Sequence, residues 1–173
     1  MATSPEIDPS DSRAQREVEA VMLRRLEERN PTWKRLAWQE AALGLGLPPI
    51  WQKAVPDAVW KTECGETIVV EAYSRIGQLT AGHRRKLAMD ALKLLGLRHA
   101  LSSVANARYL LLVPDELVES LRGDGWFPAA LSLAAELVSV TLAPEEREQL
   151  HQASARQAQG QARLKRLGDG RAT

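Results

Sequence analysis

The stretch PDAVWKTECGETIVVEAY, residues 56–73, decides the fold. Two short runs rich in β-branched and aromatic residues, 58–62 and 67–73, flank the segment ECGE at 63–66. Such runs on either side of a short glycine-containing segment are typical of a β-hairpin, with Gly65 supplying a positive φ. The stretch therefore predicts two antiparallel strands joined by a tight turn.

The length of that turn decides which side chains face each other across the hairpin. A three-residue loop at 63–65 would place Asp57 opposite Glu71, with Cβ atoms about 4.5–5.5 Å apart. A two-residue loop, Cys64-Gly65, would instead place Asp57 opposite Ala72. In the first register the two carboxylates repel each other unless a cation lies between them, and Mg²⁺ prefers such oxygen ligands.

The segments around the hairpin predict an α/β protein. Outside the hairpin, segments with helical periodicity alternate with short apolar runs. The predicted helices are 13 to about 30, about 79–95, 114–121, 127–136 and 144 to about 159. The predicted strands are ARYLLLV at 107–113 and a last strand at 137–142. The stretch 33–47 fits either a second helix or a strand of about 36–43. Strands followed by crossover helices indicate a mixed β-sheet flanked by helices on both faces. The continuous apolar run at 107–113 indicates an interior strand.

Length and composition limit the classes of protein to which the chain can belong. The chain has 173 residues, of which 45% are apolar and 26% charged, enough for one domain with a sizeable core. We predict a disordered leader at 1–12, a single domain at 13–159 and a basic flexible tail at 160–173. A single cysteine excludes a disulfide framework and a cysteine-rich zinc site.

Charge and hydropathy exclude further classes. Lys and Arg total 23 and Asp and Glu 22, which excludes a strongly cationic protein that coats polyanions but leaves room for a local basic patch. No apolar run approaches the roughly 20 residues that a membrane span needs. Residues 1–10 lack the apolar core of a secretory signal. We therefore expect a cytoplasmic protein with no membrane partner.

The hairpin and its flanking elements resemble the PD-(D/E)xK nuclease superfamily. The pattern of that superfamily is Pro-Asp, a hairpin, and Glu-x-Lys at the end of an apolar strand, matched here by Pro56-Asp57 and by Glu71-Ala72-Tyr73. The predicted elements fit its α-β-β-β-α-β core with additions, over about residues 13–158. The resemblance implies a restriction-endonuclease-like fold and metal-dependent phosphodiester hydrolysis. It also implies that Asp57, Glu71 and the Ala72 carbonyl bind Mg²⁺ or Mn²⁺.

One position departs from that pattern. Tyr73 stands where the motif has lysine, and a phenol with a pKa near 10 cannot supply the same positive charge. Lys86 is the better substitute, because the helix after this strand packs beside the site in the superfamily. Lys86, Asp90 and Lys93 lie on one helical stripe, which also fits a solvated face with an ordinary ion pair. The predicted catalytic set is therefore completed by Lys86, or by Tyr73 with Arg75.

These residues predict a metal-dependent nuclease acting on nucleic acid, DNA rather than RNA. The predicted phosphate-binding patch comprises the basic residues after the hairpin, Arg75, His83, Arg84, Arg85 and Lys93. A homodimer or a larger protein complex would extend the small footprint of the chain. Two other hypotheses stay open: a catalytically degenerate nuclease-fold subunit that binds nucleic acid or serves a structural role, and an unrelated α/β domain in which Pro56-Asp57 is only a turn.

Overall fold

In a computed structural model of the chain, residues 13–100 and 106–169 are described, residues 157–169 by their backbone alone. The predicted leader at 1–12 and the last residues of the predicted tail lie outside them. Within the described ranges, one mixed sheet contains the strands, in the order β1 (Lys34–Arg35), β2 (Ala58–Lys61), β3 (Thr67–Ala72), β4 (Ala107–Pro114) and β5 (Glu136–Val140). The helices are α1 (Arg13–Arg29), α2 (Trp38–Gly44), α3 (Pro49–Gln52), α4 (Ala81–Ala100), α5 (Asp115–Arg122), α6 (Trp126–Ala134) and α7 (Pro144–Asp169).

The hairpin forms in the three-residue register. β2 and β3 are antiparallel, with Val59 opposite Val69. Beyond the strand ends, the Thr62 N–H donates to the Glu66 carbonyl at 2.9 Å. Gly65 has a φ of +82°, a left-handed conformation that glycine adopts without steric cost. The predicted hairpin is confirmed, and the two-residue alternative is wrong.

The apolar run at 107–113 is an interior strand, as predicted. β4 pairs in parallel with β3 on one side and with β5 on the other. Its side chains from Leu110 to Val113 are all buried, on both alternations. Parallel neighbours need a crossover connection, which α4 supplies between β3 and β4.

Helices cover both faces of this sheet. On one face, Ile68, Val70 and Ala72 of β3 belong to a core cluster with side chains of α1 and α7. On the other face, Val69 packs with side chains of α2 and α4, and Tyr73 packs with side chains of α4, α5 and α6. The chain is therefore an α/β protein with a mixed sheet packed against helices.

The ambiguous stretch at 33–47 contains a minimal strand and a helix. β1 pairs only two residues with β2, and of the two alternatives for this stretch the strand at about 36–43 is wrong. That segment is mostly α2, because Trp38, Ala41 and Ala42 recur at helical spacing and are buried together. The shared burial of these three side chains identifies the segment as a helix, which the sequence pattern alone did not decide.

Two helices run past their predicted ends. α4 continues to Ala100, beyond the expected end near residue 95, and its residue Gly96 lies against the ring of Trp51. A Cβ at position 96 would lie 2.1 Å from the Trp51 ring, so glycine permits this close packing of α3 on α4. α7 continues to Asp169, beyond the expected end near residue 159. Across 13–100 and 106–169, no helix is both long enough and apolar enough to cross a membrane.

Candidate functional site

The two predicted carboxylates come together where β3 ends. Asp57 directly precedes β2, and its Oδ2 accepts a hydrogen bond of 2.7 Å from the backbone N–H of Ala72. The Asp57 N–H in turn donates to the Val70 carbonyl at 3.1 Å. Glu71 lies between these two β3 residues, and the negative charge of Asp57 raises its pKa. The hairpin register therefore places both acids at one end of the sheet.

Glu71 is a buried acid in contact with a lysine. Its side chain is 2% exposed, and its Oε1 lies 2.6 Å from Nζ of Lys93 on α4. The contact is a close approach of the two groups rather than a well-aligned hydrogen bond. Burial raises the pKa of Glu71 to about 8, although Lys93 acts in the opposite direction. Lys93 also donates to the Val55 carbonyl at 3.0 Å, so its ammonium is turned inward.

Lys86, on α4, lies close to Tyr73 and to an acid of its own helix. Its Nζ lies 5.5 Å from the centre of the Tyr73 ring and 2.9 Å from Asp90 Oδ2 on the same helix. Burial lowers the pKa of Lys86, but the hydrogen bond to Asp90 and the charges of Asp90, Glu19 and Asp57 outweigh burial and raise it. A stable positive charge therefore lies above Tyr73 and within the field of the carboxylates.

Tyr73 itself is held in the core. It is 1% exposed, its N–H donates to the Leu112 carbonyl at 2.9 Å, and its hydroxyl has no hydrogen-bond partner among the described residues. Burial raises its pKa above the ordinary range for tyrosine. The phenol therefore stays neutral and adds no charge to the cluster.

A third acid, Glu19 on α1, belongs to the same cluster and was missed in the sequence. Its Oε1 accepts a hydrogen bond of 3.2 Å from the Ser74 hydroxyl, just after β3. Burial raises the pKa of Glu19, with Lys86 lowering it and Asp57 raising it. Glu19 thus faces Asp57 from the helix on the other side of the sheet from α4.

A sequence signal for Glu19 did exist. Glu19 lies one helical turn after Gln15 and one turn before Met22, and both of those residues are buried. A carboxylate on the stripe that faces the sheet is costly unless it has partners. The signal is weak, because the acids of an amphipathic helix ordinarily lie on its polar face.

The predicted basic patch divides into two parts. Burial and then the positive charge of Arg75 lower the pKa of His83, which indicates that these two side chains lie close together. Burial also lowers the pKa of Arg75, which lies beside Tyr73 and Glu19. Arg84 and Arg85 are exposed on α4, whereas Lys93 contacts Glu71. The structure brings Arg75 and His83 to the site and leaves the two exposed arginines outside it.

The oxygen atoms at the end of β3 suit a hard divalent cation. Among the described residues, no three acidic, histidine or cysteine side chains form a metal-binding group. Two carboxylates are nevertheless a common protein contribution to Mg²⁺, which keeps several waters and takes phosphate oxygens from the substrate. Asp57 and Glu71 provide the carboxylates. The Ala72 carbonyl faces Asp57 as well, because the N–H and C=O of a strand residue point to the same side.

Comparison with known proteins adds no relative to this description. What the described residues establish is an α/β protein with a mixed sheet packed against helices, and a cluster of acids and lysines at the end of β3. None of the family models, curated proteins and solved structures compared with the chain matches it.

Proposed function

We propose that the chain is a metal-dependent nuclease that hydrolyses phosphodiester bonds, in DNA rather than RNA. The observation that carries the proposal is the cluster at the end of β3. There, Asp57 is fixed by the Ala72 N–H, Glu71 is buried beside it, and the ammonium of Lys86 lies over Tyr73. Acids and a lysine in this arrangement are the groups that phosphodiester hydrolysis uses.

The order of elements supports the proposal. α1, β1, β2, β3, α4 and β4 follow one another as in the α-β-β-β-α-β core of the PD-(D/E)xK superfamily, with α2 and α3 added between β1 and β2. Asp57 enters the second strand and Glu71 lies near the end of the third, as the superfamily pattern requires. A homodimer or a larger complex remains part of the proposal, since either would extend the small nucleic-acid footprint of one chain.

Asp57, Glu71 and the Ala72 carbonyl would hold Mg²⁺ or Mn²⁺. A bound ion of this kind supplies Lewis acidity that lowers the pKa of water and polarises a phosphate. Asp57 is already oriented by its hydrogen bond to Ala72, so little side-chain freedom is lost when it acts as a ligand. Glu71 must exchange its contact with Lys93 for the ion.

Lys86 would bind the phosphate oxygens and stabilise the charge that develops on them. Its ammonium lies above the residue that replaces the motif lysine, and Asp90 holds it there. Its raised pKa keeps it protonated, so it acts through its charge rather than as a base. Arg75 and His83 are placed to bind an adjacent phosphate.

A second hypothesis has its own support. Lys93 already places a positive charge 2.6 Å from Glu71, where a divalent ion would bind, and Tyr73 replaces the motif lysine. Both features favour a catalytically degenerate protein that keeps the fold and binds nucleic acid or a larger complex without cleaving.

A cleavage assay separates the two hypotheses. Supercoiled plasmid, a short DNA duplex and a single-stranded RNA are incubated with Mg²⁺, with Mn²⁺ or with EDTA. We expect metal-dependent cleavage of DNA that Asp57→Asn abolishes and Asp124→Asn preserves, since Asp124 is an exposed acid on a distant turn. Cleavage by Asp57→Asn at the wild-type rate would overturn the assigned site. No metal-dependent cleavage of any substrate by the wild type would overturn the nuclease in favour of the degenerate subunit.

A further inference from the structure

A cleft of about 300 Å³ opens beside the carboxylates, on the side away from α4. It lies between α1 and the edge strand β1, and its lining residues are Arg16, Glu19, Ala20, Leu23, Arg35 and Asp57. This cleft could not be predicted from the sequence, because its two arginines come from separate elements. Asp57 and Glu19 place it directly at the proposed active site.

The two arginines enter the cleft from opposite walls. Arg16 lies on α1, one turn before Ala20, so both are on one face of that helix. Arg35 comes from β1, opposite Trp60 of β2. The Arg35 guanidinium lies 5.6 Å from the centre of the Trp60 ring, a cation–π contact that limits its motion.

The lining suits a sugar–phosphate unit. Guanidinium groups bind phosphate through paired N–H donors. Ala20 and Leu23 offer an apolar surface against which a sugar can pack. The volume of about 300 Å³ is at the lower limit for small-molecule pockets and is enough for one sugar–phosphate unit.

We infer that this cleft binds the sugar–phosphate backbone of the nucleic-acid strand next to the bond that is cut, with Arg16 and Arg35 as its phosphate-binding residues. The inference rests on the proposed function, because Asp57 is shared between the cleft and the proposed catalytic cluster. It places the strand between α1 and β1, on the opposite side of Asp57 from the basic residues of α4.

Binding without cleavage tests this inference. A fluorescein-labelled single-stranded DNA oligonucleotide is titrated with the protein in EDTA over a range of salt concentrations. Arg35→Ala should weaken binding several-fold and lower the slope of log K against log salt by about 0.7, the value for one lost phosphate contact to a single strand. Arg35→Lys should keep that slope, since the charge remains.

Lys34→Ala is the matched control. Lys34 precedes Arg35 in β1, is equally exposed and carries the same charge, but its side chain points to the opposite face of the sheet. We expect this variant to bind like the wild type. Equal affinities and slopes for Arg35→Ala and Lys34→Ala would overturn the inference, whether or not the wild type cleaves DNA.

The remaining outcomes separate the inference from the proposed function. If binding depends on Arg35 but the protein never cleaves, the cleft remains a binding site and the proposed nuclease function is overturned. A deoxynucleoside monophosphate that binds as tightly as the oligonucleotide, and with the same dependence on Arg35, would overturn the backbone assignment in favour of a mononucleotide site.

Discussion

Lys86 and Lys93 lie two turns apart on one face of α4, yet their surroundings differ. Lys86 is 54% exposed and pairs with Asp90 on its own helix. Lys93 is 27% exposed and pairs with Glu71 of the sheet, which is 2% exposed. An exposed pair within one helix is worth only about 0.3–0.5 kcal/mol. A pair that includes a buried charge is different, because loss of one partner leaves the other uncompensated.

The difference assigns different tasks to two lysines that the sequence cannot tell apart. Lys93 compensates the charge of a buried acid and so belongs to the folded structure of the site. Lys86 is held weakly and faces Tyr73 and the open side of the cluster, where a phosphate can reach it. The lysine that is closer to Glu71 is therefore the less suitable one for the substrate.

The largest effect should come from the buried acid. Glu71→Gln keeps the size of the side chain but removes the charge that attracts a divalent ion, so cleavage should fall by orders of magnitude. Its melting temperature should stay the same or rise, because Asp57 no longer repels a neighbouring carboxylate, and the partly exposed Lys93 keeps its hydrogen bond to the Val55 carbonyl. Asp90→Asn, the acid partner of Lys86, should lower the rate far less. Initial cleavage rates with Mn²⁺ and thermal melts of both variants test this prediction. Equal losses of cleavage in the two variants would contradict the different roles assigned to the Glu71–Lys93 and Lys86–Asp90 pairs.

The two lysines themselves provide the second test. Lys86→Met should abolish cleavage and leave Mn²⁺ affinity unchanged, since it removes the ammonium and keeps the apolar stem. Lys93→Met should instead tighten Mn²⁺ binding several-fold above pH 8, because no ammonium competes for Glu71 Oε1. Isothermal titration with Mn²⁺ distinguishes the two variants. Weaker Mn²⁺ binding by Lys93→Met would show that this lysine orients the acid rather than competes for it.

The pH dependence of folding stability should show the buried acid in the metal-free protein. Burial raises the pKa of Glu71 from an ordinary value near 4.5 to about 8, so between these values the folded state binds a proton that the unfolded state has lost. The free energy of unfolding should therefore fall as the pH rises through this window, by at most about 4–5 kcal/mol. Urea denaturation in EDTA at several pH values measures the slope. Glu71→Gln should lack this pH-dependent contribution to the free energy of unfolding. The same slope in the wild type and in Glu71→Gln would assign the pH dependence to other groups.

The smallest effect concerns the packing that holds the Lys93 end of α4. Gly96→Ala would place a Cβ 2.1 Å from the Trp51 ring, and such overpacking costs about 1–3 kcal/mol of stability. Gly82→Ala is the matched substitution at the other end of the helix, where the nearest atom would be 3.8 Å away. Its effect should stay within about 1 kcal/mol. Denaturant titration compares the two variants, and a stable Gly96→Ala protein would show that α3 can move away from α4.

Local chemistry explains what could be predicted from the sequence. Gly65 and the alternation on both sides of it predict the hairpin, although two loop lengths fit the sequence and only the observed pairing shows that Asp57 meets Glu71. The uninterrupted apolar run of β4 marks an interior strand because both of its faces must be covered. Both features depend on residues that are close together in the chain.

The features that could not be predicted depend on contacts between distant segments. Glu19 and Arg35 reach the site from α1 and β1, and only the tertiary fold brings them to Asp57. Helical spacing places Lys86 and Lys93 on one stripe, but the segment before β2 covers Lys93 alone, through the Val55 carbonyl. The segment at 36–43 stays open between helix and strand in the sequence, because a short apolar run carries too little periodicity to exclude either.

The mixed pairing of β3 has a consequence for the order of folding. Its antiparallel pairing with β2 closes a turn of a few residues, whereas its parallel pairing with β4 must wait until the chain of α4 has closed a long loop. We expect substitutions in the turn at 63–65 to slow folding and substitutions in α4 mainly to speed unfolding, as stopped-flow kinetics would show. The acids would then meet early and the lysines of α4 would arrive late, so the nascent hairpin carries its negative charges uncompensated until the helix docks.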